Sequence, residues 1–273
     1  MSMKITLNIR KSAQENAQAF FDEAKRLRNK MKGAASGMRE VENKLAALEK
    51  ETRSTEKKSP EKRRSKEWFE KFRWCYTRGG LLVVGGRDAH SNEALVKRHM
   101  EDNDWYFHAD VHGAPHCLLK CEKKKPTKED FDDAASFAGL FSSVWKKGLL
   151  SVRVYAVKPS QVSKKAPTGE SLGRGAFIIN GERKWFDPDF KMGWGVQVLS
   201  EGFRAMCGPL ACVKAHAIHV SELSAGEKSK TDVAKSYQKW LEKQTPPISI
   251  PLDDLVAALP PGEFTSHPIL AKR

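Results

Sequence analysis

Residues 81–100 read LLVVGGRDAHSNEALVKRHM, and the reading of this stretch decides the fold. The apolar run LLVV, bounded by Gly79 and Gly80 on one side and Gly85 and Gly86 on the other, has the signature of a buried strand. From Asn92 to Met100 the apolar residues return at helical spacing, so the glycines turn a strand into a short helix. A strand that feeds a helix calls for a sheet with helices packed on it. The class expected is therefore α+β, a mixed α/β domain.

Working outward, WFEKFRWCY at 68–76 places aromatics at a helix-to-strand junction. Trp68, Phe69, Phe72 and Trp74 interleave there with Lys66, Lys71 and Arg73, a pattern that serves base stacking or, more commonly, core packing. Downstream, Trp105 to Val111 and Cys117 to Lys120 read as strands, and Lys128 to Lys147 as one amphipathic helix. More strands are expected at Ser151 to Val157, Ala176 to Asn180 and Ala215 to Val220. A helix over Ser229 to Lys243 presents Val233, Tyr237, Trp240 and Leu241 on one face and stops before Pro246 and Pro247. The proline-rich tail from Ile248 holds one helical piece, Asp253 to Leu259, and is expected to pack back on the domain.

Upstream the chain changes character. A short leading strand is expected at Ile5 to Ile9, after which Ser12 and Glu15 stand at capping-box spacing. Ala13, Ala17, Phe20, Ala24, Leu27, Met31, Ala34, Met38, Val41, Leu45 and Leu48 then recur in alternating steps of four and three, which is a heptad seam. Gly33 and Gly37 would allow a hairpin of 12–32 against 38–57, but the unbroken phase favours one long coiled-coil helix. Residues 53–66, RSTEKKSPEKRRSK, form a charged linker. The expected division is a coiled-coil arm over 1–66, a domain over 67–200, and strands, helix and tail over 201–273 packed on it.

The 273 residues carry a formal charge of +14, and residues 1–66 alone hold 18 basic and 9 acidic side chains. A positive arm of this kind attracts polyanions by counterion release, which makes nucleic acid the leading partner class. No apolar run reaches the length of a membrane span and MSMKITLNIRKS lacks an apolar signal core, so a cytoplasmic chain with no membrane partner is expected. Cys75, Cys117, Cys121, Cys207 and Cys212 form no CxxC pair, which argues against a disulfide framework and against structural zinc. No Walker or GxGxxG pattern and no triad or paired-carboxylate spacing is present, so the chain is expected to need no cofactor and not to be an enzyme.

Three clusters could bind a ligand. In the first, Arg87, Asn92, Lys97 and Arg98 lie around a glycine turn that opens a helix, where free N–H groups favour anions; the alternative is a tight turn capped by Asp88. The second, HADVHGAPH, sets His108, Asp110 and His112 at alternate positions with His116 beyond; a hydrogen-bonded strand end is favoured over a metal site. In the third, QVSKKAPTGESLGRGAFIING at 161–181, Lys164, Lys165 and Arg174 stand among hydroxyls and glycines that could surround a phosphate, or else form a solvated loop.

KEWFEKFRW, LLVVGGRDAHSNEALVKR, DWYFHADVHGAPHCLLK and VSKKAPTGESLGRGAFIING stand in the order of the NFACT-R domain, and the sequence resembles the NFACT family. LNIRKSAQENAQAFFDEAKR resembles the helix by which that family's coiled coil returns to NFACT-R, and GPLACVKAHAIHV through LPPG resembles an archaeal-type carboxy terminus. The resemblance implies binding to obstructed large ribosomal subunits and to tRNA, rRNA or both, in support of template-free tailing of stalled chains, with the ribosome itself performing peptide transfer. Arg87, Asp88, Asn92, Lys97, His108, Asp110, Lys164, Lys165 and Thr168 match positions characteristic of NFACT-R, and the match does not say which of them touch RNA. The family's NFACT-N and helix-hairpin-helix regions and its outgoing coiled-coil helix do not occur in the sequence. The resemblance thus implies an NFACT-N-bearing partner chain, a fragment, or self-association through the arm. The competing reading is a coiled-coil adaptor that recruits a protein, with incidental RNA contact.

Overall fold

The computed structural model describes residues 6–55, 64–149, 151–165 and 172–268, in two compact units, Met1–Arg63 and Arg64–Arg273. The first unit is built on α1 (Ala13–Thr55), a single helix of 43 residues, about 65 Å long at 1.5 Å per residue. Gly33 and Gly37 are helical, so the hairpin does not form. The Ser12 hydroxyl accepts from the Glu15 amide (3.2 Å) and the Glu15 carboxylate accepts from the Ser12 amide (2.7 Å), the reciprocal cap expected from the spacing.

Of the leading strand expected at Ile5 to Ile9, Ile5 lies outside the described residues. Residues 6–12 contain no strand, because Asn16 pulls this segment into a turn over the helix start. Its side-chain amide donates to the carbonyls of Asn8, Lys11 and Ser12, and its oxygen accepts from the Asn8 amide. Along α1 the seam is open: Leu27 is 48%, Met31 72% and Met38 66% exposed. The heptad pattern therefore yields a helix, while its pairing partner is a separate question.

The second unit starts with a one-turn helix, Trp68–Lys71, and the hairpin β1 (Arg73–Tyr76) and β2 (Leu82–Gly85). Next come α2 (Ala89–His99), β3 (Trp105–Ala109), β4 (Cys117–Lys120), α3 (Lys128–Leu140), the short α4 (Ser143–Lys146) and β5 (Val154–Val157). A loop with the two-residue strands β6 (Val162–Ser163) and β7 (Ile178–Ile179) leads to β8 (Lys184–Phe186). The order β1-β2-β4-β3-β5-β8 makes one antiparallel sheet.

Beyond it run β9 (Met192–Leu199), β10 (Gly202–Pro209), α5 (Leu210–His216), β11 (Ile218–Ser229), α6 (Lys230–Leu241), α7 (Leu252–Ala258) and β12 (Glu263–Pro268). Their strands form a second antiparallel sheet, β10-β9-β11-β12. The division expected at 200/201 falls in the turn of the β9–β10 hairpin. The strand read at Ala215 to Val220 is half wrong: Pro209, with no amide to donate, ends β10 and opens α5, and extended structure resumes only at Ile218.

α3 touches strands of both sheets, which is why it departs from the amphipathic reading. Phe131, Ala134, Ala135, Phe137, Ala138 and Leu140 are all buried, as befits a helix covered on both sides. The helix expected to run to Lys147 ends at Leu140, and Ser142 caps α4 by accepting from the Val144 amide. Of the entrance aromatics, Phe69, Phe72 and Trp74 are buried, whereas Trp68 is 39% exposed and lies flat on the His99 imidazole, centroids 4.3 Å apart. Core packing thus accounts for three of the four.

Candidate nucleic-acid interface

The β2–α2 turn uses its polar groups internally. Asp88 caps α2, its carboxylate accepting from the Ser91 amide (2.7 Å) and hydroxyl (2.9 Å), bonds that hold its pKa below the ordinary value. The Ser91 hydroxyl in turn accepts from the amides of Arg87 and Asp88. Arg87 extends its guanidinium onto three carbonyls, Lys71 at 3.0 Å, Phe72 at 2.9 Å and Ala257 at 2.8 Å. It thereby clamps the entrance to β1 onto the end of α7.

The second and third clusters meet the first. Asn92 accepts from the His116 amide at 3.1 Å, tying α2 to the start of β4. Glu93 bonds Lys97 at 2.6 Å with one oxygen, and with the other accepts from the Gly175 amide at 2.9 Å and pairs with Lys164 at 3.5 Å. Its pKa is pulled down to about 2, first by Lys97 and then by the Gly175 amide. Lys164 also donates to the carbonyls of Gly173 (2.9 Å) and Ala176 (3.0 Å) and lies over the Phe177 ring, so it closes its loop. Gly175, at φ +76°, sits so near Ala89 that a Cβ would fall 2.8 Å from the Ala89 carbonyl oxygen. Lys164, Gly173, Gly175 and Ala176 are thus brought together at the start of α2.

His116 is buried, with Nδ1 2.6 Å from the Tyr106 hydroxyl and the Phe177 ring beside it. Burial, then the neighbouring His108, pulls its pKa down to about 3, and burial lowers that of His108 as well, so both rings are neutral near pH 7. Asp110 and His112 are exposed, and the His112 carbonyl accepts from Ser143. Among the described residues no group of three His, Cys, Asp or Glu comes together as a metal-binding set.

Four candidate cations face outward. Lys97 keeps its Glu93 partner, while the side chains of Arg98, Lys165 and Arg174 are exposed and, among the described residues, make no hydrogen bond or ion pair. Thr168 lies outside the described residues. Sequence reasoning missed Glu93, the hinge of the assembly; its signal was the i,i+4 spacing to Lys97. It also missed Tyr106, which strand alternation places on the same face as His108.

Comparison with known proteins bears on this arrangement. Residues 71–181 match the family described as the NFACT protein RNA binding domain, so β1 through β7 and all three clusters lie within it. The archaeal Rqc2 homolog aRqcH of Methanocaldococcus jannaschii is 34% identical over 201 residues, 73% of this chain and 29% of that protein. The human ribosome quality control complex subunit NEMF is 34% identical over 185 residues, 66% of this chain and 17% of its own length. The Drosophila melanogaster NEMF homolog is 33% identical over 205 residues, 71% of this chain and 20% of its length. The chain therefore spans less than a third of each of these relatives. With that RNA-binding domain at its centre and such relatives along most of its length, the chain belongs to the NFACT family.

Proposed function

We propose that the chain is part of a cytoplasmic ribosome-associated quality-control factor that binds obstructed large ribosomal subunits and tRNA and supports template-free tailing of stalled nascent chains. In this role it binds RNA and performs no chemistry of its own, leaving peptide transfer to the ribosome. The observation that carries the reading is the set of exposed cations with no partner among the described residues, Arg98 in the last turn of α2 and Lys165 and Arg174 beside the residues that meet at its start, inside the matched RNA-binding domain. Arg87 and Lys164 hold that scaffold together, and the free cations meet phosphate. α1 supplies further positive charge and an apolar seam for a coiled-coil partner.

The test is co-sedimentation of the full chain with large subunits carrying peptidyl-tRNA, across a salt series. Binding is expected to weaken steeply with salt, and the triple variant Arg98→Glu, Lys165→Glu, Arg174→Glu to lose it at a salt concentration where the native chain is retained. Retention of the triple variant equal to the native chain would remove these cations from the interface. Failure of the native chain to bind any such subunit would overturn the ribosome reading itself.

A further inference from the structure

The edge of the first sheet carries a second array. In register across β3, β5 and β8, His108 pairs with Tyr155 and Tyr155 with Trp185, so the three rings stand in a row on one face. Their centroids are 5.8 Å apart between His108 and Tyr155 and 5.4 Å between Tyr155 and Trp185. Two arginines lie on this row: the Arg183 guanidinium is 4.6 Å over the Tyr155 ring and that of Arg153 is 4.4 Å over Trp185. Both arginines are exposed, and among the described residues neither guanidinium pairs with a carboxylate. Trp185 is 37% exposed at the outermost strand. Arg183 and Trp185 lie beyond residue 181, where the matched domain ends.

We infer that this edge is a stacking platform for unpaired bases of RNA, with Trp185 and the guanidinium planes of Arg153 and Arg183 as its outer layer. Planar rings and guanidinium planes stack on any base, and the cations beside them meet the connecting phosphates. Such a surface selects single strands, because a duplex keeps its base faces stacked inside and offers only backbone and groove. Asp110, exposed beside His108 and Tyr155, is one nearby carboxylate, and Glu182 and Asp187 flank β8 in the chain; such groups accept from base amino groups rather than meet phosphate. A protein strand adding to this edge is the poorer fit. β8 is three residues long, follows Arg183, contains Lys184 and is followed by Pro188, features that blunt an edge against further pairing. The inference rests on the RNA-binding reading for its class of ligand, and on none of Arg98, Lys165 or Arg174.

The measurement is fluorescence anisotropy of the full chain with a labelled twelve-nucleotide oligouridylate and with an RNA duplex of equal length. Trp185→Ala is expected to weaken oligouridylate binding about tenfold and Trp185→Phe to restore most of it, while duplex affinity stays the same in both. Arg153→Lys with Arg183→Lys, which keeps charge and removes the planes, should weaken the single strand selectively. Circular dichroism checks that each variant is folded. Unchanged oligouridylate affinity in Trp185→Ala, or equal loss for single strand and duplex, would overturn the platform, as would absence of oligouridylate binding by the native chain. If that happens while large-subunit co-sedimentation persists, the platform alone falls. Ring-dependent oligouridylate binding without co-sedimentation would leave the platform standing and remove the ribosome reading.

Discussion

At the scale of single residues, Arg87 and Arg98 look alike in the sequence, eleven positions apart in one basic motif. The structure separates them by what surrounds each. Arg87 is committed to three carbonyls, one of them on Ala257, 170 residues away, whereas Arg98 points to solvent. No local pattern could show this, because the partners of Arg87 come together only when α7 packs against the entrance to β1. Lys164 and Lys165 divide in the same way, one donating to the carbonyls of Gly173 and Ala176 and one exposed with no side-chain partner among the described residues. His116 was legible as a hydrogen-bonded strand-end histidine, and its burial has a measurable consequence. Its pKa is lowered to about 3, against about 6.5 in an unfolded chain, so between those values the unfolded state takes up the proton first. The stability this residue contributes is therefore complete above about pH 6.5 and lost progressively as pH falls toward 3. Urea midpoints measured at pH 7, 6, 5 and 4 should fall in that order, and His116→Gln should flatten the decline. His108 is shifted in the same direction, so the variant removes only part of the slope. A His116→Gln profile as steep as the native one would exclude this assignment.

At the scale of elements, segments with a continuous apolar pattern were legible, and a strand whose alternation is broken by glycine was not. β4 was read to the residue as a continuous buried run, and α1 and α6 nearly so as unbroken helical periods between clear stops. The β9–β10 hairpin escaped the sequence reading. Its alternation of Met192, Trp194 and Val196 is interrupted by Gly193, which a local pattern reads as loop. In the fold that glycine admits a helix: a Cβ there would lie 2.7 Å from the Leu210 Cδ1 atom of α5. The glycines of α1 are a different matter, since nothing lies within 4 Å of a Cβ built on Gly33 or Gly37. Each therefore lowers helix stability without any packing need in this unit. Gly33→Ala and Gly37→Ala should each stabilise α1 by about 1 kcal/mol. Amide hydrogen exchange along the arm would show it as slower exchange around residues 30–40, with the Arg64–Arg273 unit unchanged. Faster exchange in either variant would mean that the glycines accommodate a close neighbour in the folded protein.

At the scale of the whole molecule, charge was the most directly legible property, since it needs no contacts to be read. Residues 1–66 hold most of the net charge of +14, and the described part of α1 displays its cations to solvent. What the sequence could not show is how that charge is spent. In the Arg64–Arg273 unit, cations such as Arg64, Arg78 and Lys120 are neutralised by Glu70, Asp133 and Asp104. In α1, Arg28, Lys30 and Lys32 are exposed and, among the described residues, have no ion-pair partner. Formal charge thus understates the arm relative to the rest, because paired cations release few counterions when a polyanion binds. The consequence lies in salt dependence. Each arm cation that contacts phosphate adds about 0.7 to 0.9 to the slope of log affinity against log salt. Replacing Arg28, Lys30 and Lys32 together by Gln should lower that slope by up to about 2 to 3 in an RNA-binding titration between 50 and 200 mM salt. The affinity difference between native and variant should shrink as salt rises, since the lost contacts are the ones salt competes with. A parallel displacement, with the slope unchanged, would place the arm outside the RNA contact and assign its seam and its charge to a protein partner.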